Sequence, residues 1–118
     1  MASPEDLVRL GHMLEHSREA VALVRGLTRR SLDEDRVMSL ALVRLLEIVG
    51  EAAARVSAEE RAKHPGIRWA AIVGLRNRLI HGYDSVDMDV LWRILTDDVP
   101  SLVASLQAIP GLEGPIST

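Results

Sequence analysis

The chain has 118 residues, a formal net charge of −3 and no cysteine, which gives one domain with its own core and excludes disulfides and thiolate metal sites. The negative charge argues against a generic, electrostatically driven nucleic-acid binder, so any contact with RNA has to be local, through clustered arginines. The apolar runs are too short to span a bilayer, and Glu5 and Asp6 stand where a signal peptide needs a basic end, which predicts a cytoplasmic protein with no membrane partner.

Ser3 reads as a helix N-cap, with Pro4 at the first helical position and Asp6 completing a short capping box. Leu7, Leu10, Leu14, Val21 and Val24 keep a helical apolar stripe to about Leu27. His12 and His16 lie four apart on one face, a spacing that can hold a metal. Met13 occupies the place of the HExxH glutamate and no third ligand is near, so the two read as a solvated pair.

Residues 25–36 are polar and turn-like, with Ser31 or Asp33 able to cap a second helix over about 33–56. That helix is apolar nearly all round and therefore buried on more than one side. Its polar residues Arg44, Glu47, Glu51 and Arg55 form one narrow line. Two readings of that line stay open. One is a solvent-facing seam with a Glu51–Arg55 pair worth a few tenths of a kcal/mol; in the other, Glu47 or Glu51 meets Arg76 of the next helix and holds its fork for a phosphate.

Residues 57–66 form a polar connection with one helical turn at about 58–63, ended by Pro65 and Gly66. A third helix follows. At about 100° per residue, Trp69, Ile72, Val73, Leu79, Ile80 and Tyr83 share its inward side, and Arg76 falls in the middle of that stripe. An arginine there must find a carboxylate or open into a cleft, because a buried unpaired charge costs several kcal/mol. Asp84, Ser85 or Asp87 can cap a fourth helix, in which Met88, Leu91, Leu95, Val99, Leu102, Leu106 and Ile109 hold one phase through Pro100. A kink or short break is predicted at that proline, with the apolar face continuous.

These elements give an all-α, antiparallel four-helix bundle over residues 1–110, with a flexible C-terminal tail at 111–118. Trp69, Trp92 and Tyr83 are the only aromatics, too few for a base-stacking surface. The apolar surplus on the second and third helices predicts a symmetric homodimer.

The candidate chemistry lies in the third helix, where Arg76, Asn77, His81 and Tyr83 read R-N-x3-H-x-Y. Histidine is suited to proton transfer near neutral pH, and Asn77, one turn earlier, can orient the imidazole. Arg-x4-His alone is a weak signal. Singly, Arg76 also reads as a core arginine paired with Glu47 or Glu51, Asn77 as satisfying backbone groups, His81 as capping a helix end and Tyr83 as a hydrophobic wedge. The four together are far rarer.

That motif, with the LVRLLEIVGEAAARV segment at 42–56, the HPGIRW linker at 64–69 and VDMDVLW at 86–92, resembles HepT-like proteins, small all-helical members of the HEPN superfamily, over nearly the whole chain. The resemblance implies a toxin ribonuclease whose catalytic residues are Arg76 and His81, supported by Asn77. It implies a second partner besides RNA, an MNT-type nucleotidyltransferase antitoxin that transfers AMP from ATP to Tyr83. A bulky anionic group two residues from His81 would fill the cleft and occupy Arg76.

The chemistry that fits is cleavage of RNA without a metal ion or cofactor. A 2′-hydroxyl attacks its adjacent phosphate, His81 moves a proton and Arg76 balances charge on the phosphoryl oxygens. The product carries a 2′,3′-cyclic phosphate, and no carboxylate cluster is evident around the motif in sequence. On a straight helix Arg76 and His81 stand about 140° apart. Either the helix unwinds near Gly82 or a twofold axis brings two motifs into one cleft; the resemblance favours the second. The rival readings are a non-catalytic module that binds a nucleotide or docks a nucleotidyltransferase, and a pure assembly protein.

Overall fold

Helix α1 spans Pro4–Val24, with the Ser3 hydroxyl accepting from the Asp6 N–H at 3.1 Å. The computed structural model describes residues 2–81 and 85–112, apart from the His81 side chain. Asp6 does not close a capping box. It is buried, and its carboxylate accepts the Ser57 N–H at 2.9 Å and the Ser57 hydroxyl at 2.7 Å, tying the start of α1 to a connection fifty-one residues on. Gly26, at φ +85°, turns the chain after α1.

The polar stretch that follows contains a short helix, α2 (Arg29–Glu34), capped by Thr28 and Ser31. The long helix α3 (Arg36–Ala54) is capped not by the candidates Ser31 or Asp33 but by Asp35, two residues beyond the second of them, whose carboxylate accepts from the Met38 N–H at 3.0 Å. Leu42, Leu45, Leu46, Val49 and Ala53 bury it on more than one side, as its composition predicts. Helix α4 (Ala58–Ala62) is the expected single turn.

The third helix departs from expectation. It forms two pieces, α5 (Trp69–Val73) and α6 (Leu75–Leu79), broken at Gly74, and then leaves the helical state. Ile80–His81 make strand β1, paired antiparallel with β2 (Ser85–Val86), with Ile80 opposite Val86 and His81 opposite Ser85. The Leu79 carbonyl accepts from the Asp87 N–H at 2.9 Å, which fixes the point of departure.

Asp87 caps α7 (Met88–Arg93) by accepting from the Asp89 and Val90 N–H groups. A π turn over Ile94–Asp98 joins it to α8 (Val99–Gln107), with the Val99 N–H reaching back to the Ile94 carbonyl. The irregularity predicted at Pro100 is this wider turn. Proline lacks an N–H and crowds the carbonyl four residues earlier, and the extra residue in the turn absorbs that conflict. Leu91, Leu95, Val99, Leu102, Leu106 and Ile109 all stay buried through it. From residue 113 on, the expected tail lies outside the described residues.

Helix α1 packs along α3 and α8, and α5 and α6 lie on α3, which gives the all-α, antiparallel four-helix bundle predicted. Leu10, Met13, Leu42, Leu46, Leu79, Leu91 and Ile94 are fully buried at its centre. Among the described residues no helix is long and apolar enough to cross a membrane.

Candidate active site

Two contacts seat the motif segment on α3. At its start, the Trp69 indole N–H donates to the His64 carbonyl at 3.1 Å, and the Arg61 guanidinium lies 5.8 Å from the indole ring centre. Arg61 also donates to the Ala53, Ala54 and Val56 carbonyls, so one side chain ties the end of α3 to the start of α5. His64 is held in turn by its Nε2, 2.7 Å from the buried Glu60 carboxylate. Farther along, Gly50 of α3 meets the α5 backbone so closely that a Cβ there would stand 2.9 Å from the Ile72 carbonyl oxygen.

Leu75 and Leu79, four apart and both buried, anchor α6, and Arg76, Asn77 and Arg78 between them are exposed. Arg76 does not sit in an inward stripe. Its side chain is 73% exposed, and its Nε lies 3.4 Å from Glu47 Oε2. The break at Gly74 changes which residues face the core: Val73, expected inside, is 38% exposed, whereas Leu75, outside the expected stripe, is buried. Of the two glutamates considered, Glu47 meets Arg76, and Glu51 meets Arg44 at 3.7 Å. Arg44 also approaches Glu47 at 3.7 Å, so α3 and α6 carry a continuous chain of charges, Glu51, Arg44, Glu47 and Arg76. Carboxylates thus do stand beside the motif, each facing an arginine. Among the described residues the ion-pair partner of Glu51 is Arg44, not Arg55.

Asn77 is exposed and makes no hydrogen bond among the described residues. Arg78, on the other side of α6, pairs with Asp98 of the π turn at 3.3 Å. The His81 backbone lies in β1, not on a helix, so the 140° offset of a straight helix does not apply. The expected modification target Tyr83 lies outside the described residues, with Gly82 and Asp84. His12 and His16 form a local pair, with His16 Nδ1 2.8 Å from the His12 carbonyl oxygen and the rings edge to face.

Sequence reasoning passed over Gly50, Gly74 and Arg44 as parts of the site. Glycine inside a helical pattern is unfavourable by about 1 kcal/mol against alanine. That was the available signal for the two glycines. Arg44 was visible only as a member of the polar line.

A helical bundle whose third helix presents an arginine braced by a glutamate of the preceding long helix, and whose following histidine has its backbone in a short antiparallel strand pair, is of the HEPN class. The family model described as "Ribonuclease HepT-like" matches residues 13–109, and the chain belongs to that family. It is similar to a Thermococcus cleftensis protein named "Probable ribonuclease HepT", 35% identical over 100 residues, 81% of this chain and 91% of the relative. It is also similar to a Methanocaldococcus jannaschii protein, 31% identical over 82% of this chain and 89% of the relative, and to one from Caldanaerobacter subterraneus subsp. tengcongensis, 33% identical over 85% and 89%. Both of these are named as RNases with a like qualification. No solved structure matches the chain.

Proposed function

We propose that this protein is a metal-independent endoribonuclease, the toxin of a toxin–antitoxin pair, which acts as a homodimer and is silenced when a cognate MNT-type nucleotidyltransferase transfers AMP to Tyr83. Membership of the HepT-like ribonuclease family supports the reaction class. The observation that carries the site is Arg76, exposed on α6 with its Nε 3.4 Å from the Glu47 carboxylate. At 3.4 Å and with its side chain 73% exposed, this pair is a loose one, and the guanidinium can exchange it for a phosphate taken bidentately.

In the reaction, the ribose 2′-oxygen bonds to phosphorus as the bond to the 5′-oxygen breaks. His81 serves the proton transfers, and Arg76 balances the charge on the non-bridging oxygens. The products are a 2′,3′-cyclic phosphate and a free 5′-hydroxyl. The second copy is supported by α3, which exposes Val37 by 78% and Leu40 by 52%, with Ala41 beside them. This apolar patch lies one turn before Arg44, so a copy docked there brings two Arg76 clusters near one cleft.

The test is cleavage of total RNA by purified protein in EDTA, comparing the unaltered chain with folded Arg76→Ala and His81→Ala variants. Cleavage that survives chelation and disappears in both variants is expected. Incubation with the nucleotidyltransferase and ATP should then add AMP to Tyr83 by mass spectrometry and stop cleavage. RNA left intact by folded protein with Tyr83 unmodified would overturn the reading.

A further inference from the structure

We propose that Arg44 is a second phosphate-binding residue of the RNA cleft, set at the flank of Arg76 by the Glu47 carboxylate between them. The proposal deepens the ribonuclease reading above and rests on it. Arg44 and Glu47, three apart on α3, share one face of that helix. Glu47 uses one oxygen for each arginine: Oε1 lies 3.7 Å from Arg44 Nη1, and Oε2 lies 3.4 Å from Arg76 Nε. The glutamate is the sheltered member, 20% exposed, and the arginines stand outward at 60% and 73%.

Both contacts are longer than the roughly 2.7–2.9 Å of a tight charge-assisted hydrogen bond, and pairs this exposed add little to stability. An incoming phosphate therefore displaces little when it takes either guanidinium. With Glu51, 3.7 Å from Arg44, the four charges sum to zero. Such a cluster draws RNA weakly at long range and binds it on contact, by exchanging carboxylate partners for phosphate ones. This accords with a chain whose net charge is −3. Two guanidinium groups on one carboxylate also give the cleft a direction: Arg76, five residues from His81, serves the reacting phosphate, and Arg44 serves a neighbour on the same strand.

The experiment uses the full chain in two assays. The first measures binding of a 2′-O-methyl oligoribonucleotide, which cannot be cut, across a range of salt; the second measures cleavage kinetics on the matching RNA. Arg44→Ala should weaken binding about tenfold, as expected for one charge-assisted contact. It should also reduce the magnitude of the slope of log K against log salt by about 0.7. The kinetic loss should fall on KM rather than kcat, and Arg44→Lys should recover part of the binding. An unchanged salt slope with reduced kcat would overturn the proposal, because Arg44 would then only brace Glu47 and Arg76. Dissociation of the dimer in Arg44→Ala would overturn it in favour of an interface role. Unaltered protein that cuts RNA while Arg44→Ala binds and cuts it equally well removes Arg44 alone; unaltered protein that neither binds nor cuts RNA removes the ribonuclease reading with it.

Discussion

Replacing Gly50 by alanine tests how the motif segment is held. An ideal Cβ at that position would stand 2.9 Å from the Ile72 carbonyl oxygen, 3.7 Å from that of Val73 and 3.9 Å from Leu75 Cβ. The nearest obstacle is the backbone of α5, anchored before it by Trp69 on His64 and after it by buried Leu75, so it cannot yield as a side-chain tip would. Alanine for glycine inside a helix gains about 0.5–1 kcal/mol, and forcing a methyl into a packed contact costs about 1–3 kcal/mol. The expected balance is a loss of about 1 kcal/mol, a fall in Tm of roughly 4 °C for a domain of this size. Gly11 of α1 has nothing within 4 Å of its own ideal Cβ, so Gly11→Ala should be stabilising by the helix gain alone. Urea melts of the two variants give the comparison, and RNA cleavage by folded Gly50→Ala should fall because α5 and α6 move Arg76 away from Glu47. Gly50→Ala that matches Gly11→Ala in stability and the unaltered chain in activity would refute the argument.

Three further outcomes are expected. Ser17 is fully buried and its hydroxyl has no partner among the described residues, so Ser17→Ala should raise stability by about 1 kcal/mol in urea unfolding, and a loss would show an unseen partner. His64, then Lys63, hold the Glu60 carboxyl below the usual range. The stability this gives is present above the pH where a free glutamate titrates, about 4.3, and is lost as pH falls through the lowered value. Glu60→Gln should therefore flatten the acid limb of a stability–pH profile, and an unchanged limb would count against the pairing. Val37→Glu with Leu40→Glu should leave the fold intact, because both side chains are exposed on the single chain, and should abolish the proposed dimer in sedimentation; a persistent dimer would place the interface elsewhere.

Local signals carried most of the fold. The Ser3 cap with Pro4, the Asp87 cap as one of three candidates and the unbroken apolar phase through Pro100 each depend on local spacing, and each stands where the sequence allows it. The third helix was misread because its end is set from outside. The bond from the Asp87 N–H to the Leu79 carbonyl and the pairing of Ile80 with Val86 join residues six to eight apart across a hairpin, which helical periodicity does not see. The same limit hid the exposure of Arg76. A wheel drawn straight through Gly74 carries the phase of α5 into α6, and the buried Leu75 and exposed Val73 show the phase broken there. The choice between Glu47 and Glu51 was open in sequence for a plain reason: both lie on one line of α3, and which one meets Arg76 depends on where α6 crosses it.

The break also changes what a proposed dimer has to explain. On an unbroken helix, a second copy was needed to bring arginine and histidine to one phosphate. In the structure α6 has only five residues, and a helix that short leaves most of its end groups without internal partners. Arg76 is therefore placed by buried Leu75 and Leu79 and by Glu47 of α3. The His81 backbone is placed by its pairing with Ser85 and by the Asp87–Leu79 bond. Different elements hold the two residues, and the five-residue spacing no longer fixes the angle between them. The case for a second copy accordingly moves from the helical phase to α3, where Val37 and Leu40 stand exposed within two turns of Arg44. A dimer through that patch would set the Arg44, Glu47 and Arg76 clusters of the two copies beside one seam, where exclusion of water strengthens the hold of the arginines on a bound phosphate.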